Sequence, residues 1–269
     1  MKRREFIKSS LVATSLTGLA TEIEAAEGGA GGGPAPREYY ELRQYHLRRG
    51  PKQKLFDDYF RDAALPALNR IGVKPVGVFN VLIGPESPTC YVLLAHPTAD
   101  SLLTATDRMR ADAEYQKAGA DFINATAADP AYARVESALL LSFSGLPRLE
   151  VPAAVADGKP RIYELRTYES HSKTANKTKI SMFNDSEIAI FRRCGLQPVF
   201  FAETLIGGRQ PSLTYLLSFE SLAAREKNWA IFAADPEWKK LSATPGFTDA
   251  EIVSSISNVI LRPAPYSQI

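Results

Sequence analysis

Apolar and polar positions alternate from Glu38 to His46, the period of a strand, with Tyr40, Leu42 and Gln44 on one face and Glu41, Arg43 and Tyr45 on the other. Gly50-Pro51 interrupts that alternation and can open a helix. Leu55, Phe56, Tyr59, Phe60, Ala63, Ala67 and Leu68 then recur at three- and four-residue spacing, one apolar helix face, and Gly72 is placed to cap it. Strands are predicted over 75–83 and 90–95 with a turn at 84–88, a helix from 100 to about 125, a break at Asp129-Pro130, and a strand over 135–143. The order is β-α-β-β-α-β.

The order then repeats. A strand is predicted over 161–169 and a helix over 173–194 with Ile180, Phe183, Ile188 and Phe191 on one side. Strands follow at 198–206 and 213–219 about a turn at 207–211, then a helix over 221–241 that breaks or ends near Asp235-Pro236, and a strand over 252–261. Trp229, Phe232 and Trp238 are expected to pack that last helix down. Tyr-Glu-Leu-Arg-x-Tyr opens both halves, and the offset from Tyr40 to Tyr163 is 123 residues. The same offset relates Gly72 to Gly195, Pro75 to Pro198, and Leu82-Ile83-Gly84 to Leu205-Ile206-Gly207. Two copies of this length are a duplicated domain rather than a solenoid. The organisation read from this is a first unit over 38–146, a Pro-rich linker over 147–160 and a second unit over 161–265.

Each unit reads as a ferredoxin-like fold, α+β, with helices on one sheet face and the other face bare. Two bare faces closing on each other predict a pseudo-dimeric α/β barrel within one chain, and the space between the sheets is the natural ligand cavity. Leu42 and Leu165 suggest that their face packs the helices. The triplets Glu41, Arg43, Tyr45 and Glu164, Arg166, Tyr168 are therefore expected to point into the barrel as candidate ligand-binding residues.

The 269 residues are 45% hydrophobic and 23% charged, with a formal net charge of +2, a globular composition without the basic stripe of a nucleic-acid binder. Cys90 and Cys194 occupy non-equivalent positions and read as buried small hydrophobes. The segment 1–26 reads as a targeting peptide, because Lys2-Arg3-Arg4-Glu5-Phe6-Ile7-Lys8 resembles the twin-arginine export motif and a weakly apolar stretch follows. A Gly/Pro-rich spacer runs over 27–37. This implies a bacterial periplasmic or exported product, with no later run long enough to span a bilayer.

The motifs together resemble the NIPSNAP family: Tyr-Glu-Leu-Arg-x-Tyr opening each copy, Gly-x-x-Pro-Val at Gly72 to Val76 and Gly195 to Val199, Leu-Ile-Gly ending the second strand, and Asp235-Pro236-Glu237-Trp238 after a helix containing Trp229. The first copy is read as departing from the last motif, with Ala131 and Tyr132 where the second has Glu237 and Trp238. The resemblance implies a dimeric α/β barrel and leaves the molecular activity open.

Other dimeric α/β barrels bind haem through a histidine or oxidise small aromatic compounds without a cofactor. His46 and His171 follow the first strand of each copy and read as exposed loop histidines. His46, His96 and His171 lack metal-ligand spacing. No nucleophile elbow, P-loop or dinucleotide fingerprint is present, so no metal or cofactor is expected. Two readings of the triplets stand. One is a polar plug fixing how the half-barrels meet, favoured because both copies keep it. The other is an anion-and-proton site in which Arg holds a carboxylate and Glu or Tyr handles a proton. At the level of the whole chain, a non-catalytic barrel binding a small ligand or partner is preferred to a cofactor-free monooxygenase or isomerase acting on a small hydrophobic or carboxylated molecule. Self-association into a homo-oligomer is compatible with either.

Overall fold

The computed structural model describes residues 35–269, so the targeting segment and most of the spacer lie outside the described residues. The first repeat runs β1 (Tyr39–His46), α1 (Pro51–Tyr59), α2 (Leu65–Arg70), β2 (Val76–Ile83), β3 (Thr89–His96), α3 (Ala99–Arg110), α4 (Ala113–Ala118), α5 (Ala120–Ile123) and β4 (Arg134–Ser142). A short α6 (Ala153–Ala156) follows. The second runs β5 (Ile162–Glu169), α7 (Lys173–Met182), α8 (Ile188–Arg193), β6 (Gln197–Ile206), β7 (Ser212–Phe219), α9 (Leu222–Ala234), α10 (Pro236–Ser242), α11 (Asp249–Ile252) and β8 (Ser255–Pro263).

All eight strands form one closed barrel in the order β1-β3-β2-β8-β5-β7-β6-β4. Each repeat supplies four contiguous strands, and β2 with β8 and β4 with β6 join the two sets antiparallel. Every sheet edge is thereby paired, which removes the exposed edges a four-stranded sheet would leave.

The 123-residue offset extends to backbone detail. The π turn Phe60–Ala64 joins α1 to α2, and its counterpart Phe183–Glu187 joins α7 to α8. Gly72 and Gly195 both adopt positive φ, at 85° and 79°, just past those helices, a conformation open to glycine because it has no Cβ. Thr98 and Ser221 each cap the following helix through their side-chain oxygen.

Two expectations are corrected. The helix predicted from 100 to about 125 is broken at Asp112, whose carboxylate accepts from the Tyr115 amide and starts α4. Asp235 caps α10 in the same way, so Asp112-Ala113-Glu114-Tyr115 is the true counterpart of Asp235-Pro236-Glu237-Trp238. Arg70 bonds Asp112 at 2.6 Å and Arg193 bonds Asp235 at 2.9 Å, completing the same corner in both copies. Asp129-Pro130 is a surface turn with no equivalent role.

The second correction concerns the faces of β1 and β5. Tyr40 and Leu42, with Tyr163 and Leu165, pack inside the barrel against Phe79, Leu140, Phe200 and Leu261. Tyr45 and Tyr168 belong instead to the two cores between sheet and helices. Strand alternation therefore carries Glu41, Arg43, Glu164 and Arg166 to the helix side as well. Both faces of these strands bear large apolar groups, so Leu42 and Leu165 alone could not tell the faces apart. Beyond β8, Ala264 and Gln268 bond Val78 and Val76, and the fully buried Ile269 closes one end of the lumen.

Candidate functional site

On the helix side of the second repeat, Glu164 is fully buried, and its carboxylate accepts four donors. Oε1 takes Arg166 Nη1 at 3.1 Å and Arg225 Nη2 at 2.6 Å; Oε2 takes Arg225 Nε at 2.9 Å and Trp229 Nε1 at 2.7 Å. Arg225 and Trp229 stand one turn apart on α9, so a single helix face delivers three of the four. A carboxylate has about four lone-pair sites, so Glu164 has no acceptor free for a substrate proton. Arg166 lies over the Trp229 ring at 4.5 Å and donates to Tyr168 Oη at 3.2 Å, and Tyr215 donates to that oxygen at 3.1 Å. Beneath them Lys179 and Glu187, both buried, pair at 3.0 Å. Burial opposes the Lys179 charge, yet the Glu187 carboxylate holds the ammonium above its usual range.

The first repeat carries the same triplet without that clamp. Leu102 and Thr106 stand where α9 has Arg225 and Trp229, and Phe56 and Ala64 where the second repeat has Lys179 and Glu187. Glu41 is paired by Arg43 at 2.7 and 2.8 Å and by Ser137 at 2.8 Å. Burial raises the Glu41 carboxyl, and the Arg43 contacts outweigh it and hold the group below its usual range. Tyr45 sits in an aromatic cluster with Phe56, Phe60 and Tyr132. All six predicted residues thus lie outside the lumen, in two separate interfaces, where they tie helices to the sheet.

The lumen itself is filled at the Ile269 end and open at the other, where a cavity of about 710 Å³ reaches solvent. Its floor is apolar: Leu42, Ala138, Leu140, Leu165 and Val259. The two repeats line its mouth differently. Gln44, His46, Tyr91, Arg134 and Glu136 come from the first; by strand register their counterparts are Thr167, Glu169, Thr214, Ser255 and Ser257. His46 is the last residue of β1 and is buried, with Glu86 at Nδ1 and Glu136 Oε2 at 3.4 Å from Nε2. This corrects its reading as an exposed loop residue; His171, by contrast, is exposed. Arg134 reaches Glu86 and Glu136, each at 3.1 Å. On the second-repeat wall Thr167 and Thr214 hydroxyls meet at 3.0 Å, and Ser212 bonds Thr204 at 2.9 Å.

His46, Arg134 and Glu136 carry no sequence motif, and only the pairing of β1 with β3 and β4 brings them together with Glu86. One signal was present: at these lumen positions the repeats differ in residue type, whereas the helix-side triplet is identical in both. His96 faces the helices of the first repeat, fully buried, with Nδ1 3.2 Å from Ser101 Oγ, and burial lowers its pKa. Both cysteines are buried and free. Among the described residues no group of three or more His, Cys, Asp or Glu is placed to hold a metal ion, and no helix is long and apolar enough to cross a membrane.

The NIPSNAP family model matches residues 40–144 and 163–268. No curated protein sequence matches this chain. Among solved structures, the fold is similar to two proteins named as putative monooxygenases. The one from Lactobacillus acidophilus NCFM has a TM-score of 0.56 at 8% identity over 84% of this chain and 94% of its own. The one from Fusobacterium nucleatum has a TM-score of 0.54 at 6% identity over 85% and 93%. An uncharacterized NIPSNAP-like domain protein from Burkholderia xenovorans is 26% identical over 40% of this chain and 90% of its own, with a TM-score of 0.37. At such identities the two monooxygenase-named structures speak for the α/β barrel fold alone.

Proposed function

This chain belongs to the NIPSNAP family, and we propose that it is a non-catalytic binding protein that holds a small organic molecule in the open half of its barrel. The observation that carries this reading is the cavity of about 710 Å³, with an apolar floor and hydrogen-bonding groups confined to its mouth. That size and that division of chemistry suit a molecule with an apolar body and one polar end. The helix-side triplets support the reading by elimination. Glu164 is saturated by protein donors, so the residues that most resembled a proton-transfer site are tied up in architecture.

Native mass spectrometry of the protein purified from its host, followed by extraction, tests this. A retained organic molecule that is lost when Leu140→Trp fills the lumen supports the proposal. A molecule retained by Leu140→Trp but lost in Arg225→Leu would place binding on the helix side and overturn it. We also propose that the chain is exported through the twin-arginine route, on the resemblance of Arg3-Arg4 and the residues after it to that signal. Export abolished by an Arg3→Lys/Arg4→Lys variant supports this; unchanged export overturns it.

A further inference from the structure

The charges around the mouth differ in how fully they are partnered, and that difference selects a ligand. On the first-repeat wall, Glu86 and Glu136 share the Arg134 guanidinium and both lie against the His46 ring. Across the opening, Arg209 stands at the tip of the β6–β7 hairpin. Its nearest carboxylate, Glu169, is 3.8 Å away, and its hydrogen bond to Ser257 Oγ is long at 3.4 Å. The Arg209 side chain is 63% exposed. Its backbone has φ 61°, a left-handed conformation that side chains with a Cβ adopt at a steric cost. Such strain in a residue lining a cavity is a pointer to function.

Tyr91 projects into the same cavity from β3. Burial pushes its hydroxyl up to about 12; the Arg209 charge pulls the other way, and the Glu136 and Glu86 carboxylates add to the rise. The phenol therefore keeps its proton at neutral pH and stands within the field of the guanidinium. A cation, a phenolic donor and the hydroxyls of Thr167 and Thr214 ring a mouth that opens onto an apolar floor. A carboxylate is the group such a set of donors receives, since it accepts from several at once.

Resting on the reading of the lumen as the ligand site, we propose that the ligand is an amphipathic carboxylic acid, its chain on Leu42, Leu140, Leu165 and Val259 and its carboxylate on Arg209 and Tyr91. Glu86 and Glu136, which share the first-repeat wall with Tyr91, are the competing feature, because left unneutralised they would select an amine instead.

Calorimetric titration of the full chain at neutral pH with octanoate, 1-octanol and octylammonium separates these cases. Octanoate should bind at least about tenfold more tightly than octanol, and octylammonium more weakly than either. Arg209→Gln should bring octanoate to the level of octanol and leave octanol unchanged; because Arg209 is at an exposed tip, the variant should keep the wild-type melting temperature. Tyr91→Phe serves as a second variant and should weaken octanoate alone. Octanol binding with octanoate no tighter overturns the carboxylate inference and leaves the lumen reading intact. Tighter octylammonium binding overturns it in favour of the Glu86–Glu136 wall. Binding of none of the three overturns the lumen reading as well.

Discussion

Trp229 donates its indole N–H to Glu164 Oε2 at 2.7 Å, and that bond joins helix α9 to a buried carboxylate on β5. Removing the donor leaves a buried acceptor short of a partner, which costs about 1–3 kcal/mol. Trp229→Phe should therefore lower the unfolding free energy by about that amount in urea titrations. Thr106→Ala, the exposed counterpart in the first repeat, should change it by less than about 0.5 kcal/mol.

Lys179 and Glu187 form a buried ion pair where the first repeat has Phe56 and Ala64. Breaking one side of such a pair leaves an uncompensated buried charge and costs about 3–5 kcal/mol. Lys179→Met and Glu187→Gln should each destabilise strongly by chemical denaturation. The double variant Lys179→Phe/Glu187→Ala, which restores the first-repeat residues, should cost much less than the sum of the two. An additive result would show that the residues do not act as a pair.

His96 gives the first repeat a pH dependence. Burial lowers its pKa in the folded protein, so below the ordinary histidine value of about 6.5 the unfolded chain binds the proton more readily. Its contribution to stability is present above that pH and is lost as pH falls. His96→Phe installs the residue that the second repeat holds at the equivalent position, Phe219. The wild-type melting temperature should fall more steeply than that of the variant between about pH 6.5 and 5. Parallel curves would count against the assignment.

Ile269 is fully buried against the packed end of the lumen. Truncating a buried isoleucine to alanine costs about 2–5 kcal/mol, through lost burial and the space left behind. Ile269→Ala should show that loss in thermal unfolding, although the residue is the last in the sequence.

The architecture was legible because duplication writes it twice. Tyr40 and Tyr163, Gly72 and Gly195, and the matched Leu-Ile-Gly turns hold one register, and alternation within that register gave the strands. The direction of the triplets was not legible. A period of two says that Glu164 and Leu165 face opposite ways without saying which way is in, and both faces are buried in a closed barrel. The partners that settle it, Arg225 and Trp229, lie more than sixty residues away on α9. The Asp112 corner was missed because Asp129-Pro130 matches Asp235-Pro236 in letters, whereas Asp112 matches Asp235 in offset and in its bond to an arginine. The mouth was hidden for a similar reason: Glu86, on the β2–β3 turn, meets His46 only once β3 has paired with β1.

In the proposed binding mode a small molecule enters the lumen and leaves the helix-side interfaces undisturbed. Methyl-labelled NMR of the full chain during titration with 1-octanol tests it most directly. Binding in the lumen should give saturable shifts at the methyls of Leu42, Leu140, Leu165 and Val259, which line the cavity. Shifts confined to Val92, Leu94, Leu213 and Leu217, which pack beneath the helices, would contradict it.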